Sequence, residues 1–274
     1  MSAPEGRTIT VGLVKAAPPR GQPERSLEIL ADVTAGLEPG GLDVLVTPEC
    51  FLDGYMAAGR DKCRMEDLAA CSMTGPDDAR VKRAAEVASR LGCWLVLGAS
   101  ERSRDGRLYN VAYLLDRSGG HVGTYRKVHP CRLYAPGDEL PVFETDFGRV
   151  GIVICADRRW PENIRCLRLA GAEVILNPTW GFRGELNTAI MRTRAYENGV
   201  WVCFAHPHES LICGPDGSVA AAEESSTPGV LVHKLDLARN VDPHAVPDDA
   251  SSASPIRARR PELYGPMTRT SPPV

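Results

Sequence analysis

No apolar run in these 274 residues approaches the ~18–20 residues needed to cross a bilayer; the stretch 150–156 is among the longest, so no membrane partner is expected. No Cys-x-x-Cys pair occurs and the six histidines are scattered, so the ligand spacing of a zinc site is missing and no metal is expected. Neither sign of charge dominates. The 32 Lys and Arg against 35 Asp and Glu leave a net charge of -3, which gives no basic field for nucleic acid or anionic lipid. A secretion signal is poorly matched near the start, because Arg7 precedes the early apolar patch and Lys15 interrupts it; a cytoplasmic location is the expectation.

The residues that are present suit a folded α/β unit. Hydrophobic residues make up 43% and charged residues 24%, a composition that can bury a sizeable core. The nine cysteines are an odd number in a chain too long to need staples, and most sit in apolar runs as reduced, small hydrophobes. Short β-rich runs at 8–14, 42–47, 94–99, 111–115, 150–154, 174–176, 200–204 and 230–235 read as strands. Helical patterns lie between them: 24–36 carries Leu27, Leu30 and Val33 on one face, and 77–91 carries Val81, Ala84, Ala85 and Ala88.

Residues 149–177 spell a strand, a turn, a helix opened by Pro161 and closed by Gly171, and a second strand. By contrast 109–127 reads as two strands joined through Asp116-Arg117-Ser118-Gly119-Gly120, which is hairpin chemistry, so the sheet should be mixed. Residues 1–240 are expected to form one domain. The proline-rich extension 241–274 cannot make a regular helix and is expected to pack on that domain or on a partner subunit.

Three reactive side chains sit where a strand meets a loop, the position at which α/β sheets build their sites. Glu49 follows Leu42-Asp-Val-Leu-Val-Thr-Pro, Lys127 ends Thr124-Tyr-Arg, and Cys155 ends Val150-Gly-Ile-Val-Ile. Taken singly, each has an ordinary reading: a solvated loop carboxylate, a snorkelling surface cation, a core-filling thiol. Taken together they suggest acyl transfer through a thioester. A free thiol titrates near ~8.5, so it needs a base to become a dependable nucleophile, and Glu49 is a candidate. A tetrahedral oxyanion needs fixed donors, for which the Lys127 ammonium and the backbone N–H of Ala156 at a helix entrance are candidates.

The order Pro48-Glu49-x-Phe51-x-x-Gly54-Tyr55, Tyr125-Arg126-Lys127-Val128-His129 and Gly148-Arg149-Val150-Gly151-Ile152-x-Ile154-Cys155-x-Asp157-x-Arg159-Trp160-Pro161-Glu162 resembles the carbon-nitrogen hydrolase (nitrilase) superfamily. Asn177-Pro178-x-Trp180 and the helix Arg192-x-Arg194-Ala195-x-Glu197-Asn198 extend the match, which runs from about residue 8 to 237. The resemblance implies a four-layer α-β-β-α sandwich with two mixed β-sheets, Cys155 as nucleophile, Glu49 as general base and Lys127 stabilising the tetrahedral intermediate. It implies no cofactor, a small-molecule amide or N-carbamoyl substrate, and a homodimer or higher homo-oligomer. Asp157 two residues after the nucleophile resembles the amidase and carbamoylase branches more than the nitrile-cleaving one.

Tyr55, Glu139, Ala156, Arg159 and Trp180 are the expected substrate-binding residues, with Arg158 a further candidate for the pocket wall. One departure stands out. Many members carry a second glutamate just before an aromatic-x-x-Gly segment, here Tyr134-Ala-Pro-Gly137, yet no carboxylate occurs in 128–134. Glu139 is a candidate substitute, and it reads equally as an exposed turn carboxylate. The alternatives left open are nitrile hydrolysis, transfer of the acyl group to an amine, a catalytically impaired ligand-binding member of the same fold, and a Cys-His pair using His129, His206 or His208.

Overall fold

A computed structural model of the chain describes residues 7–59, 63–240, 256 and 258–268. Among them run, in chain order, β1 (Thr8–Lys15), α1 (Pro23–Thr34), β2 (Val44–Val46), α2 (Met65–Cys71), α3 (Ala79–Leu91), β3 (Trp94–Arg102), β4 (Leu108–Leu115), β5 (His121–Arg126) and β6 (Val142–Glu144). There follow β7 (Arg149–Ile152), α4 (Pro161–Leu169), β8 (Val174–Pro178), α5 (Glu185–Asn198), β9 (Trp201–Ala205), β10 (Glu209–Cys213), β11 (Val219–Glu224) and β12 (Gly229–Asp236).

Period-two alternation along these strands decides the layering. In β1 the side chains of Ile9, Val11 and Leu13 enter one core while Val14 enters another; Val44 and Val46 part from Leu45, and Trp94 and Val96 from Leu95 and Leu97. The second half of the chain splits in the same way. Val150, Ile152, Leu176 and Cys203 join the first core, whereas Ile175, Val202 and Phe204 turn outward to a third. The shared core therefore lies between two sheets. One sheet's outer face buries Leu27 and Leu30 of α1 with Val81, Ala84 and Ala88 of α3. The other buries Ile164 and Leu167 of α4 with Met191 and Ala195 of α5. The result is the four-layer α-β-β-α sandwich expected.

Both sheets have six strands, in the orders β12-β1-β2-β3-β4-β5 and β11-β10-β9-β8-β7-β6. Each is mixed in the same manner, with a parallel trio (β1-β2-β3; β7-β8-β9) flanked by antiparallel strands. The β4–β5 hairpin turns where Asp116-Gly120 places it: Gly119 takes φ +85° and the Asp116 carboxylate accepts from the N–H groups of Ser118 and Gly120. Two boundaries differ from the sequence expectation. The strand read over 150–154 stops at Ile152, because the N–H of Ile154 turns to the Asp157 carboxylate (3.2 Å) and a 3-10 turn begins at Cys155. The run at 42–47 keeps only Val44–Val46 as strand.

No helix among the described residues is long and apolar enough to cross a membrane. Of the extension beyond residue 240, the described part forms two 3-10 turns, Pro261–Leu263 and Gly265–Thr268, whose Tyr264 and Met267 border a cleft with Arg165 of α4 and Glu197 of α5. The remainder of that expectation lies outside the described residues.

The loop after β2 presses its backbone onto β3: a Cβ on Gly98 would meet the Pro48 carbonyl oxygen at 2.2 Å and the Cys50 nitrogen at 2.9 Å. Gly98→Ala is expected to cost about 2 kcal/mol or more, with a shift of the Glu49 loop, since overpacking against backbone has no flexible side chain to yield. Gly92→Ala, whose Cβ would meet nothing within 4 Å, carries only the left-handed backbone strain of about 1 kcal/mol. Urea denaturation of the two variants beside wild type checks the difference.

Candidate active site

Every parallel trio ends on the same edge of the sandwich, and the chemistry gathers there. Glu49 lies just beyond β2, Lys127 just beyond β5, Cys155 just beyond β7, Trp180 beyond β8 and His206 beyond β9. Lys127 and Glu49 meet: Nζ donates to Oε1 at 2.5 Å, with both side chains almost fully buried (3% and 0% exposed). Asn110, on the inward face of β4 between them, donates its amide to the same Oε1 at 2.8 Å. Glu49 Oε2 is buried and has no hydrogen-bond partner. One carboxylate oxygen is thus saturated by an ammonium and an amide, and the other is free to accept a proton.

Burial alone would pull the Lys127 ammonium toward neutrality. The charge of the Glu49 carboxylate and its hydrogen bond, with Cys155 adding in the same direction, outweigh it and hold the group above the ordinary lysine range. Lys127 is therefore a permanent cation in this site. Its backbone is fixed on both sides, donating from N–H to the Asn110 carbonyl (2.9 Å) and accepting from the Gly137 N–H (2.9 Å). Gly137 can approach because it has no Cβ; one there would stand 2.3 Å from the Arg126 carbonyl oxygen.

Cys155 comes from the other sheet. It is buried and adopts φ +47°, and the only other non-glycine residues with positive φ among those described are Cys50 (+47°) and Tyr55 (+50°), which flank the Glu49 loop. Strained backbone at the thiol and beside the carboxylate is typical of positions that the surrounding structure over-determines. Asp157 fixes the turn. Its carboxylate accepts from the Ile154 N–H, from Tyr125 Oη at 2.7 Å and from the His129 N–H at 2.8 Å, so one buried acid ties the thiol turn of one sheet to the strand end that carries Lys127. His129 Nδ1 contacts the same carboxylate at 3.0 Å, and its ring stacks on Trp160 at 3.7 Å.

The remaining expected residues fall in two groups. Tyr55 and Trp180 pack edge to face with centroids 5.9 Å apart, Gly181 lies beside the thiol (its Cβ position is 3.9 Å from Sγ), and Ala156 follows Cys155 at partial exposure. The structure does not bring Glu139 and Arg159 into that group. Both are exposed; Arg159 contributes only its carbonyl, to Arg194, and Glu139 stands in the open segment before β6. The neighbouring Arg158 is the buried one, donating from Nε to Asn187 and from Nη2 to the Phe182 carbonyl. Sequence reasoning overlooked Asn110, although an amide in the middle of the apolar run Leu108-Tyr-Asn-Val-Ala-Tyr-Leu-Leu is a visible signal that something polar faces it. No group of His, Cys, Asp and Glu among the described residues could hold a metal ion.

Two predictions follow from the burial of these groups. Lys127→Met leaves the Glu49 carboxylate dry and unpaired and is expected to cost about 3–5 kcal/mol, while Glu49→Gln combined with Lys127→Met recovers much of that loss; urea midpoints of the four proteins read the coupling. His206 is pushed by burial from 6.5 to about 4, against the backbone carbonyls of Gly181 and Trp180, which favour its charged form. A depressed histidine adds stability that is complete above pH 6.5 and is lost as pH falls through 4, here about 2–3 kcal/mol. Asp53, raised by burial to about 6, acts oppositely over the same window. The histidine contribution is therefore read as wild type minus His206→Gln, at pH 7 and at pH 4.5.

Comparison with known proteins bears on the fold and the family. The carbon-nitrogen hydrolase family model matches residues 10–241. A protein described as a hydrolase in the pqqF 5' region of Pseudomonas protegens is 30% identical over 266 residues, covering 90% of each chain. Deaminated glutathione amidase of Rattus norvegicus is 32% identical over 216 residues, 66% of this chain and 63% of that one. Among solved structures, a carbon-nitrogen hydrolase from Helicobacter pylori superposes with a TM-score of 0.80 at 19% identity, covering 96% of this chain and 99% of that one.

Proposed function

Because this chain belongs to the carbon-nitrogen hydrolase family and is an enzyme acting on non-peptide C–N bonds, we propose that it hydrolyses a small amide or N-carbamoyl compound through a thioester on Cys155. One observation carries the reading: a buried Glu49–Lys127 pair in which one carboxylate oxygen is saturated and the other is left without a partner.

The division of labour follows from that asymmetry. Lys127 and Asn110 hold Oε1, so the carboxylate is oriented, and Oε2 accepts the Cys155 thiol proton as sulfur attacks the substrate carbonyl carbon. The carbonyl π electrons move to oxygen, and the developing oxyanion is met by the Lys127 ammonium and by the Ala156 N–H at the turn. As the intermediate collapses, the C–N bond breaks and the proton held on Glu49 passes to the departing nitrogen, releasing ammonia or an amine. Glu49, ionised again, then takes a proton from water as its oxygen attacks the thioester; the second tetrahedral species expels the thiolate, which recovers that proton. Two features support hydrolysis of a compact substrate: Gly181 closes on the sulfur from one side, and the Tyr55–Trp180 edge-to-face pair supplies a rigid wall near it.

Cys155→Ala is expected to abolish ammonia release from amides and N-carbamoyl compounds, and Glu49→Gln to lower kcat by at least about a thousandfold, the range of a lost general base together with its electrostatic role. Hydroxylamine should trap the acyl group as a hydroxamate with wild type only. Turnover undiminished by Cys155→Ala would overturn the assignment.

A further inference from the structure

Three of the buried polar side chains that the mechanism leaves unused reach the same short segment. Residues 179–184, between β8 and α5, carry Trp180 against Tyr55 and Gly181 against the Cys155 sulfur. This segment has no regular hydrogen-bonded structure of its own. Side chains take up the Gly181 and Phe182 carbonyls and the Gly184 N–H, while Thr179 bonds to the backbone of Ala205 and Glu49. His206 Nδ1 accepts from the N–H groups of His208 (3.1 Å) and Glu209 (3.2 Å), which fixes the ring proton on Nε2, and Nε2 donates to the Gly181 carbonyl at 3.1 Å. Arg158 Nη2 donates to the next carbonyl, that of Phe182, at 2.7 Å. Glu209 Oε2 accepts from the Gly184 N–H at 3.0 Å.

Their burial argues against a surface role. His206, Arg158 and Glu209 are 2%, 1% and 8% exposed. Among the described residues Arg158 pairs with no carboxylate and Nη1 finds no acceptor: its guanidinium donates to Asn187 and the Phe182 carbonyl, and the rings of Phe182 and Phe204 lie 5.7 and 5.3 Å from it. A dry guanidinium held by a carbonyl and an amide is costly, so its site must retain it for something other than net stability. The feature it shares with the other two is the segment that faces the thiol.

We propose that His206, Arg158 and Glu209 are positioning residues that clamp residues 179–184 and so set the clearance between Gly181 and the Cys155 sulfur, fixing how bulky an acyl or N-substituent the site admits. None touches the reacting atoms; they act through the loop. The proposal deepens the proposed function, since it rests on Cys155 as the reactive thiol, and it names a steric limit on the substrate rather than a new step.

Asparagine keeps an acceptor at the place of His206 Nδ1 and loses the donor to Gly181, whereas glutamine keeps a donor near Nε2, so the pair His206→Asn and His206→Gln separates the clamp from the turn below it. The test measures alkylation of Cys155 by iodoacetamide and by the bulkier iodoacetanilide, read peptide by peptide by mass spectrometry, in both variants, Arg158→Met, Glu209→Gln and wild type. Expected is a rise of about fivefold in the iodoacetanilide-to-iodoacetamide rate ratio in His206→Asn and Arg158→Met, the size of one lost hydrogen bond, with His206→Gln closer to wild type. The kcat/KM ratio of hexanamide to acetamide should move in the same direction.

A variant that only weakened the fold would lower the thermal midpoint and leave both ratios unchanged, and ratios equal to wild type in every folded variant would overturn the clamp. Should one variant not fold, Glu209→Gln, which retains a carbonyl acceptor, and His206→Gln still decide the matter. Failure of the proposed function looks different: wild type would turn over no amide, while the alkylation ratios would still report on the loop.

Discussion

The Glu49–Lys127 pair is the constraint on which the rest of the site depends. Two opposite charges placed in a dry interior lose several kcal/mol of hydration each, and their attraction restores it only when the geometry is fixed and the remaining polar atoms are served. Here the pair draws its geometry from three strands of one sheet. Glu49 is delivered past β2, Lys127 past β5, and Asn110 of β4 bridges the gap with its amide. Shifting any of these strands by one residue would turn the group it carries to the other face. The strand register, from Leu95–Leu115 on one side of β4 to Val111–Arg126 on the other, is therefore part of the site as much as the side chains are.

The second sheet brings the thiol, and joining the two sheets at this edge takes a further buried charge. Asp157 meets Tyr125, the His129 backbone and ring, and the Ile154 backbone, with no lysine or arginine among these partners. It fixes position through these hydrogen bonds and makes none to the Lys127 ammonium. The positive φ values at Cys50, Tyr55 and Cys155 show where that fixing is spent. Each of order 1–3 kcal/mol, such strains persist only because the apolar core shared by both sheets holds the backbone on either side.

How much of this was legible in the sequence depends on whether the signal was local. Strand alternation, the Asp116-Gly120 turn, the Pro161 helix start and the three reactive strand ends are short-range patterns, and the fold follows them closely. The breaks are equally physical. The thiol strand ends two residues before its apolar run does, because the Asp157 carboxylate captures the Ile154 N–H, a competition that hydrophobicity does not register. The pair Arg158-Arg159 reads as two equivalent cations, yet helical geometry sends the first inward to Asn187 and the Phe182 carbonyl and leaves the second exposed. Asn110 and the Glu209–Gly184 contact depend on partners 61 and 25 residues away, and no window along the chain contains both ends.

The segment 128–134, which holds no carboxylate, packs behind the Glu49 loop. Its end is turned inward: Leu133 and Tyr134 are buried, and Tyr134 Oη lies 2.6 Å from Ser100 Oγ and 3.7 Å from Cys50 Sγ, directly behind the Glu49 loop. These hydroxyl and thiol contacts brace the loop and add no charge. Glu139 is exposed. Among the described residues Glu49 is then the one side chain hydrogen-bonded to the Lys127 ammonium, at a single oxygen. An ammonium has three donors, and a second carboxylate close by would draw on those that remain. Among the described residues no other carboxylate is hydrogen-bonded to the donors not turned to Glu49, which is the condition a transient oxyanion needs if it is to be met by a fixed cation rather than to compete for one.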